Sequence, residues 1–375
     1  MHKSPSRADS NAKSFEGFID LTGVVPAVPP PVAVTEALSH PAEGIGPLQE
    51  AVIRHRLASE YRQPEGNIAL VTDLDSALAR IAEQTTGPVV SISPSTVTGA
   101  LREVAPHREV LEVVRGIGRD GIIALDDASD LPHDGIAITT SPADPLGSIL
   151  SANDAVRLAR SCAWVVIDER YAEYGGQTLL SVASEFPNVI VLRSFQARLG
   201  ATDTNAGWAV GSSRARGLLA AVSSELPPHI AQGVLAAYPA NAAGRMTLSV
   251  IRDERSRLYR LLRKLSYLQP LPSWGPFVAA RVEVGERATL LALLGSSRIK
   301  VHAPRAPGLE QYIRIGIGSR SAMEHLRRTL FEIAPVMLGD QLAAGTRDPY
   351  CLSLRGEELS QAEFRKIQER RQRSA

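Results

Sequence analysis

Charged side chains lie next to one apolar run of the sequence and within another, and side chains of these types can bind a small charged molecule. Asp168 and Glu169 follow the apolar run 163–167, and Arg314 lies inside the run 312–317. An arginine in a buried strand needs an anionic partner, because a lone buried charge is costly. Its planar fork can hold a carboxylate through two parallel hydrogen bonds. The pattern therefore predicts either a site for a ligand carboxylate or an ion pair within the chain.

Lysine is scarce in this chain. Of 41 basic residues only five are lysines, so chemistry that requires a side-chain amine has few candidates: Lys3, Lys13, Lys264, Lys300 and Lys366. We interpret all five as solvated surface charge. Eight histidines are scattered along the chain, and no pair has the spacing of metal ligands on one helix face. We therefore predict no metal site.

Composition excludes several classes of function. The chain has 375 residues, of which 44% are apolar and 22% charged, as in ordinary globular proteins. A net charge of +1 and 5% aromatic residues argue against a nucleic-acid binder. Cys162 and Cys351 lie far apart and form no disulfide framework, which favours the reducing cytoplasm. We find neither a secretory signal nor an apolar run long enough for a membrane span.

Short apolar runs alternate with helical patterns over the first two thirds of the chain. Such alternation predicts an α/β fold in which helices cover both faces of a parallel or mixed sheet. A helix is predicted over 47–60, and a helical region broken by prolines over 213–266. The predicted strands cover 68–71, 88–93, 109–114, 136–140, 163–167, 189–192 and 207–211.

The pattern after residue 274 differs, because strand, helix, strand and helix follow one another as in a small α+β domain. Prolines in 24–32 predict an extended segment near the N-terminus. We predict five segments: a disordered arm (1–17), a segment joining the small domain (18–44), a large α/β domain (45–265), a small α+β domain (266–345) and a charged tail (346–375).

Three stretches resemble a known family. VVIDERYAEY (165–174), PNVIVLRSFQARLGATDTNAGWAVG (187–211) and YIRIGIGS (312–319) resemble the core of fold-type I pyridoxal-phosphate (PLP) enzymes. The resemblance covers most of 18–335 and is nearest to the class I/II branch of histidinol-phosphate aminotransferases and threonine-phosphate decarboxylases. It implies a large domain with a mostly parallel sheet, a small α+β domain, and a dimer with its sites at the subunit interface.

Some residues match what this resemblance implies. In the family an aspartate pairs with the pyridine nitrogen of PLP and a tyrosine three residues later bonds the ring hydroxyl; Asp168 and Tyr171 match. The arginine that clamps the substrate carboxylate is matched by Arg314. We also consider purely structural roles: a cap or ion pair for Asp168 and core packing for Tyr171. Within the chain, Asp168, Glu169 or Asp144 could pair with Arg314.

The residue that would form the Schiff base is absent. Where the family has Ser-Lys, this chain has Gln196 and Ala197. Arg198 cannot replace the lysine, because its guanidinium stays protonated and is a poor nucleophile. We expect Arg198 to fill the vacated space and to neutralise Asp168 in a cluster of internal ion pairs.

The positions that would bind the rest of the cofactor also depart from the family. Asn205 stands for the arginine that binds the phosphate, and Asp73 falls in the phosphate cradle. Thr96 replaces the aromatic residue that stacks on the ring, and Asp144 replaces an asparagine that bonds the ring hydroxyl. His40 takes the place of a tyrosine lent by the partner subunit.

These losses predict a protein without PLP catalysis. Three missing hydrogen bonds to charged groups remove about 5–9 kcal/mol, whereas a micromolar ligand has only about 8 kcal/mol in total. We therefore expect no cofactor, and a pseudoenzyme that binds a small carboxylate or acts as a subunit of a homodimer or of a heterodimer with a related chain. The alternative is a biosynthetic enzyme of aminotransferase or lyase type. It would use non-covalently bound PLP or pyridoxamine phosphate, or other chemistry, in a pocket lined by Asp168, Tyr171, Arg198 and Arg314. An ordinary aminotransferase with a misplaced lysine is the third possibility.

Overall fold

The computed structural model describes most of the chain between residues 17 and 339. The described residues are 17–23, 29–40, 47–93, 95, 97–115, 121–123, 125, 131, 133–200, 204–238 and 241–339. Apart from Gly17, the predicted N-terminal arm and the whole of the predicted C-terminal tail lie outside them.

The strands form one large sheet and two small ones. In chain order they are β1 (Ile19–Leu21), β2 (Ile68–Val71), β3 (Val89–Ser93), β4 (Val110–Val114), β5 (Ile136–Thr140), β6 (Trp164–Asp168), β7 (Val189–Ser194), β8 (Gly207–Gly211), β9 (Leu268–Pro270), β10 (Phe277–Val282), β11 (Ile299–Val301) and β12 (Tyr312–Gly316).

The large sheet has seven strands in the order β2-β8-β7-β6-β5-β3-β4. β8 is antiparallel to both of its neighbours, and the other strands run in one direction. β5 is buried throughout, as are the last four residues of β6, because helices cover both faces. The predicted α/β fold with a large, mostly parallel sheet is confirmed.

Helices pack on both faces of this sheet and around the smaller sheets. They are α1 (Val32–Ser39), α2 (Pro47–Tyr61), α3 (Leu74–Gln84), α4 (Val97–Val104), α5 (Ala152–Ser161), α6 (Ala172–Gly175), α7 (Leu180–Glu185), α8 (Gln196–Leu199), α9 (Arg216–Val222), α10 (Pro228–Ala237), α11 (Asn241–Leu262), α12 (Arg287–Ser296), α13 (Arg320–Glu332) and α14 (Ala334–Leu338). One core lies between the sheet and α2, α5, α7 and α10, and a second lies under α3, α4 and α9.

A separate core lies in the C-terminal part of the chain. β9, β10 and β12 form an antiparallel sheet in the order β12-β10-β9, and α11, α12 and α13 contribute buried residues to the same core. The N-terminal β1 pairs in parallel with β11, with Leu21 opposite Val301. Both ends of the described chain therefore contribute to this smaller α+β unit.

The described residues of the N-terminal segment divide between the two units. β1 does so, but α1 packs against α10 of the large unit. Val34 is buried in the large core, and Leu38 of α1 lies against Gly233, whose missing Cβ leaves room for it. Of the extended segment predicted over 24–32, residues 24–28 lie outside the described part of the chain, and Val32 is already the first residue of α1.

Candidate functional site

Polar side chains gather at the carboxyl-terminal edge of the large sheet. Asp168 is the last residue of β6, Asp144 lies in the loop after β5, and Asp73 follows β2. The three strands run in one direction, so their carboxyl ends meet at one edge. Ligand sites of open α/β sheets form at this edge.

The loop 141–147 carries Asp144 towards the smaller unit. It contains two cis peptide bonds, Ser141–Pro142 and Asp144–Pro145. It ends at Gly147, which has a φ of +76° and lies so close to Ser273 that a Cβ would be 2.0 Å from the serine Oγ. Only glycine fits this position. The loop is thereby held against the segment between β9 and β10.

Asp168 is fully buried and is paired with Arg170, two residues further along the chain. Arg170 donates from Nε to Asp168 Oδ2 at 2.8 Å, and its backbone N donates to Oδ1 at 3.0 Å. Burial alone would lower the pKa of Arg170, but the charges of Asp168 and Asp75 outweigh it and raise that pKa above its usual value. The charge of Asp168 is therefore balanced within the chain.

Arg198 does not neutralise Asp168, which corrects the expectation from the sequence. It pairs with Glu60 at 2.8 Å, lies 3.9 Å from Glu173, and stacks on the ring of Tyr238 with its Cζ 4.7 Å from the centroid. The long side chain turns towards α2 and α10, because these partners offer both a carboxylate and an aromatic face.

The residues at the expected phosphate cradle bond to one another. Asn205 donates from Nδ2 to Asp73 Oδ2 at 2.8 Å and to Asp75 Oδ2 at 3.0 Å. Asp73 also caps α3, accepting from the backbone N of Ser76 at 2.6 Å. Burial would raise the pKa of Asp73, but the hydrogen bonds from Ser76 and Asn205 outweigh it and lower that pKa. A carboxylate of the chain thus occupies the anion-binding end of this helix.

Arg314 is buried and pairs with Asp144. Its Nη1 lies 2.5 Å from Asp144 Oδ2, its Nη2 donates to the carbonyl of Thr22, and its Cζ lies 4.7 Å from the ring centroid of Phe277. Tyr171 donates its hydroxyl to the same Asp144 oxygen at 3.3 Å. Burial and the charge of Asp144 raise the pKa of Tyr171, so its hydroxyl stays protonated. Of the three internal partners considered for Arg314, the structure brings Asp144 to it.

Position 197 is apolar in its surroundings as well as in its side chain. Ala197 lies in α8, is buried, and belongs to the smaller core together with Leu21 and Tyr174. The neighbouring Gln196 is half-buried, and its backbone N donates to Ser194 Oγ. Position 197 therefore offers a methyl group surrounded by hydrophobic side chains.

Of the two remaining predicted site positions, only His40 can be compared with this network. Thr96 lies outside the described residues. His40 follows α1, and its exposed side chain is not hydrogen-bonded to the residues of the network as far as the chain is described. Ser95, beside Thr96, is buried and accepts from Thr140 Oγ1 at 3.1 Å.

Sequence reasoning missed two residues that complete the network, Arg170 and Asp75, and it did not find the partners of Glu169. Arg170 and Asp75 pair through Nη2 and Oδ1 at 2.6 Å. Glu169 is also buried, and it accepts from Thr178 Oγ1 at 2.6 Å and from Arg193 Nη1 at 2.9 Å. An available signal was the arginine between Glu169 and Tyr171, since a cation two residues from a buried aspartate can fold back onto it.

A cleft of about 710 Å³ opens beside Arg314, between the two units. Its polar lining includes Thr22, Ser95, Arg102, Glu112, His302 and Arg305. Arg102 and Glu112 approach to 3.6 Å, whereas Arg305 has no carboxylate partner among the described residues. Burial and the charge of Arg314 lower the pKa of His302. As far as the chain is described, the cleft therefore has a cation without a carboxylate partner, and it has a histidine that an anion would help to protonate.

The described part of the chain contains no group of three histidine, cysteine, aspartate or glutamate side chains arranged to hold a metal ion. Within the same residues, each helix is too short or too polar to cross a membrane.

Curated proteins with similar sequences are histidinol-phosphate aminotransferases. The one from Dehalococcoides mccartyi is 28% identical over 234 residues, which cover 60% of this chain and 63% of that protein. A chloroplastic one from Arabidopsis thaliana is 30% identical over 185 residues, or 48% of this chain and 44% of that protein. The matched region spans less than two thirds of the length of either relative.

Solved structures share the fold over more of the chain. Histidinol-phosphate aminotransferase from Sinorhizobium meliloti, solved with pyridoxal-5'-phosphate, gives a TM-score of 0.73 at 19% identity and covers 90% of this chain and 96% of its own. L-threonine-O-3-phosphate decarboxylase from Porphyromonas gingivalis gives 0.65 at 16% identity, with 84% and 99% covered. The family profile of class I and II aminotransferases matches residues 120–330, more than half of the chain. By fold and by sequence, the chain belongs to the class I and II aminotransferase family.

Proposed function

We propose that this chain is an aminotransferase-family protein that has lost Schiff-base catalysis and binds a small anionic molecule in the cleft beside Arg314. In this proposal the scaffold serves as a binding protein or as a partner subunit.

The observation that carries the proposal is the apolar setting of Ala197. Ala197 is buried and belongs to the same apolar cluster as Leu21 and Tyr174, and its side chain has no amine. The two lysines in the described residues lie elsewhere: Lys264 is exposed after α11, and Lys300 of β11 lies over the ring of Phe18, with 4.9 Å between its Nζ and the centroid. Covalent attachment of an aldehyde cofactor needs such an amine.

The residues around the old cofactor position do not fit PLP. The aspartate that would hold the pyridine nitrogen is already paired with Arg170, and the helix end that would face the phosphate is capped by Asp73. Asp75 adds a second carboxylate beside it. A dianionic phosphate would therefore meet negative charge instead of free backbone amides. The same features argue against the alternative of non-covalent PLP or pyridoxamine phosphate.

The cleft supports the binding part of the proposal. Arg305 supplies a cation without a carboxylate partner in the described residues, and His302 is hydrogen-bonded through its backbone to Arg314. Because Arg314 is already paired with Asp144, we assign recognition of the anion to Arg305 and His302. A small carboxylate is the class of ligand that this lining suits.

Two further features belong to the same proposal. We propose a dimer, either of two such chains or with a related subunit, by analogy with the family. We also propose a cytoplasmic location, since the two cysteines are far apart in the sequence. Light scattering of the purified chain, alone and with an intact family member, tests whether it forms a dimer.

The absence of Schiff-base chemistry is tested by visible absorption. Purified full-length protein is mixed with PLP, treated with borohydride, and analysed by absorption and by mass spectrometry of its peptides. The proposal expects no retained chromophore and no reduced adduct. A stoichiometric adduct on any of the five lysines would overturn it.

Ligand binding is tested by calorimetric titration of the full-length protein with malonate. We expect Arg305→Ala to weaken binding by about tenfold, because one charge-assisted hydrogen bond is lost. Arg281→Ala is the matched control, since Arg281 is exposed on β10 and contacts Glu283 at 3.4 Å. Equal affinities for both variants would reject the cleft as the binding site.

A further inference from the structure

The Arg170 guanidinium joins three parts of the sheet edge. Its Nε donates to Asp168 at the end of β6, its Nη2 to Asp75 in the first turn of α3, and its Nη1 to Asn205 before β8. The distances are 2.8, 2.6 and 3.4 Å, and the arginine side chain is only 20% exposed. One planar group therefore links residues that are distant in sequence.

These partners are the positions at which the resemblance implies contacts with the two ends of PLP. Asp168 corresponds to the partner of the ring nitrogen, and Asn205 to the phosphate-binding arginine. We propose that the Arg170 side chain substitutes for the cofactor, providing from within the chain the cation and the hydrogen-bond donors that this edge needs. The inference rests on the proposed function, since a bound cofactor would have to displace Arg170.

Charge explains why a cation, and an arginine in particular, suits this place. Arg170 pairs directly with Asp168 and Asp75, and Asn205 bonds Asp75 and Asp73, so three carboxylates share one hydrogen-bonded network with a single guanidinium. A planar fork with five donors can bond several of these groups at once, whereas an ammonium is a point charge on a flexible stem. Where the resemblance implies binding of a phosphate, this edge of the sheet instead binds a guanidinium of the chain itself.

Chemical rescue tests this inference. In Arg170→Ala the carboxylates at this edge lose their cation, and we expect the Tm to fall by about 5 °C. Millimolar methylguanidinium should restore at least half of that loss, whereas methylammonium at the same concentration should not. Arg281→Ala serves as the matched control, and methylguanidinium should leave its Tm unchanged.

The inference is overturned if methylguanidinium fails to raise the Tm of Arg170→Ala above the control, or if methylammonium restores it equally. Arg170→Lys provides a second test should the alanine variant not fold. We expect its Tm to lie several degrees below that of the wild type, and equal stability would contradict the need for a fork. A reducible PLP adduct in the wild type would instead reject the proposed function, so the two failures are distinguishable.

Discussion

The buried pair between Asp144 and Arg314 allows a quantitative test of how the site is held together. Only 12% and 7% of these side chains are exposed, so water screens the pair little. Asp144→Asn keeps the shape but leaves Arg314 without an anionic partner. Breaking a buried pair in this way costs about 3–5 kcal/mol. Because Arg314 keeps the Thr22 carbonyl and the face of Phe277, we expect about 3 kcal/mol.

A double-mutant cycle measures the coupling directly. The free energies of unfolding of Asp144→Asn, Arg314→Met and the double variant are obtained from urea titrations at neutral pH. A loss of 3 kcal/mol changes the unfolding constant by about two orders of magnitude. The double variant should be more stable than the sum of the single losses predicts, by about 2 kcal/mol, because it leaves no unpaired charge.

An exposed pair in the same small sheet provides the control cycle. Arg281 and Glu283 approach to 3.4 Å, but their side chains are 51% and 33% exposed. Their coupling should therefore be close to zero. Additive losses for Asp144 and Arg314, or a coupling no larger than that of the control pair, would refute the view that this pair fixes the loop 141–147 to the small sheet.

Three further predictions concern single substitutions. The pKa of Asp73 is lower in the folded state than in the unfolded state. Its charge therefore adds stability above the unfolded pKa of about 3.9, and this stability is lost as the pH falls through the folded value. Asp73→Asn should lower the Tm at pH 7, and the difference in Tm from the wild type should vanish in acid. The pKa of His302 is lowered, so the imidazole is neutral at pH 7. Sulfate binding, measured by calorimetry, should therefore strengthen as the pH falls below about 6.5. The His302→Asn variant should lack this pH dependence. Ala197→Lys should still give no borohydride-reducible PLP adduct by mass spectrometry, because Arg170 and Asp73 remain, and a stoichiometric adduct would contradict this.

Strand positions were predictable because they depend on short-range patterns. β2 and β5 have the predicted bounds, and α2 extends one residue beyond its predicted end. Runs of β-branched residues between turn residues are enough to place such elements. α1 was missed because the prolines before it indicate extended backbone, and the helix begins directly after the last of them, Pro31.

Ion-pair partners were harder to predict than strands. Spacing placed Asp168 at a strand end, but Arg170 follows it by two residues and Arg198 lies just after the end of the next strand along the chain, and their long side chains can turn in several directions. The choice depends on Glu60 and Tyr238, which come from distant helices and attract Arg198 away. Tertiary contacts of this kind leave no periodic signal in the sequence.

The pairing of β1 with β11 has a consequence for the timing of assembly during synthesis. Thr22, whose carbonyl accepts from Arg314, is separated from it by 292 residues, and closing so long a loop is entropically costly. The strands of the large sheet all precede residue 212 and can associate while the ribosome is still translating the rest. β1 must wait until residues 299–301 have emerged. A ribosome-bound chain halted before β11 should therefore contain the large sheet with its N-terminal strand still unpaired.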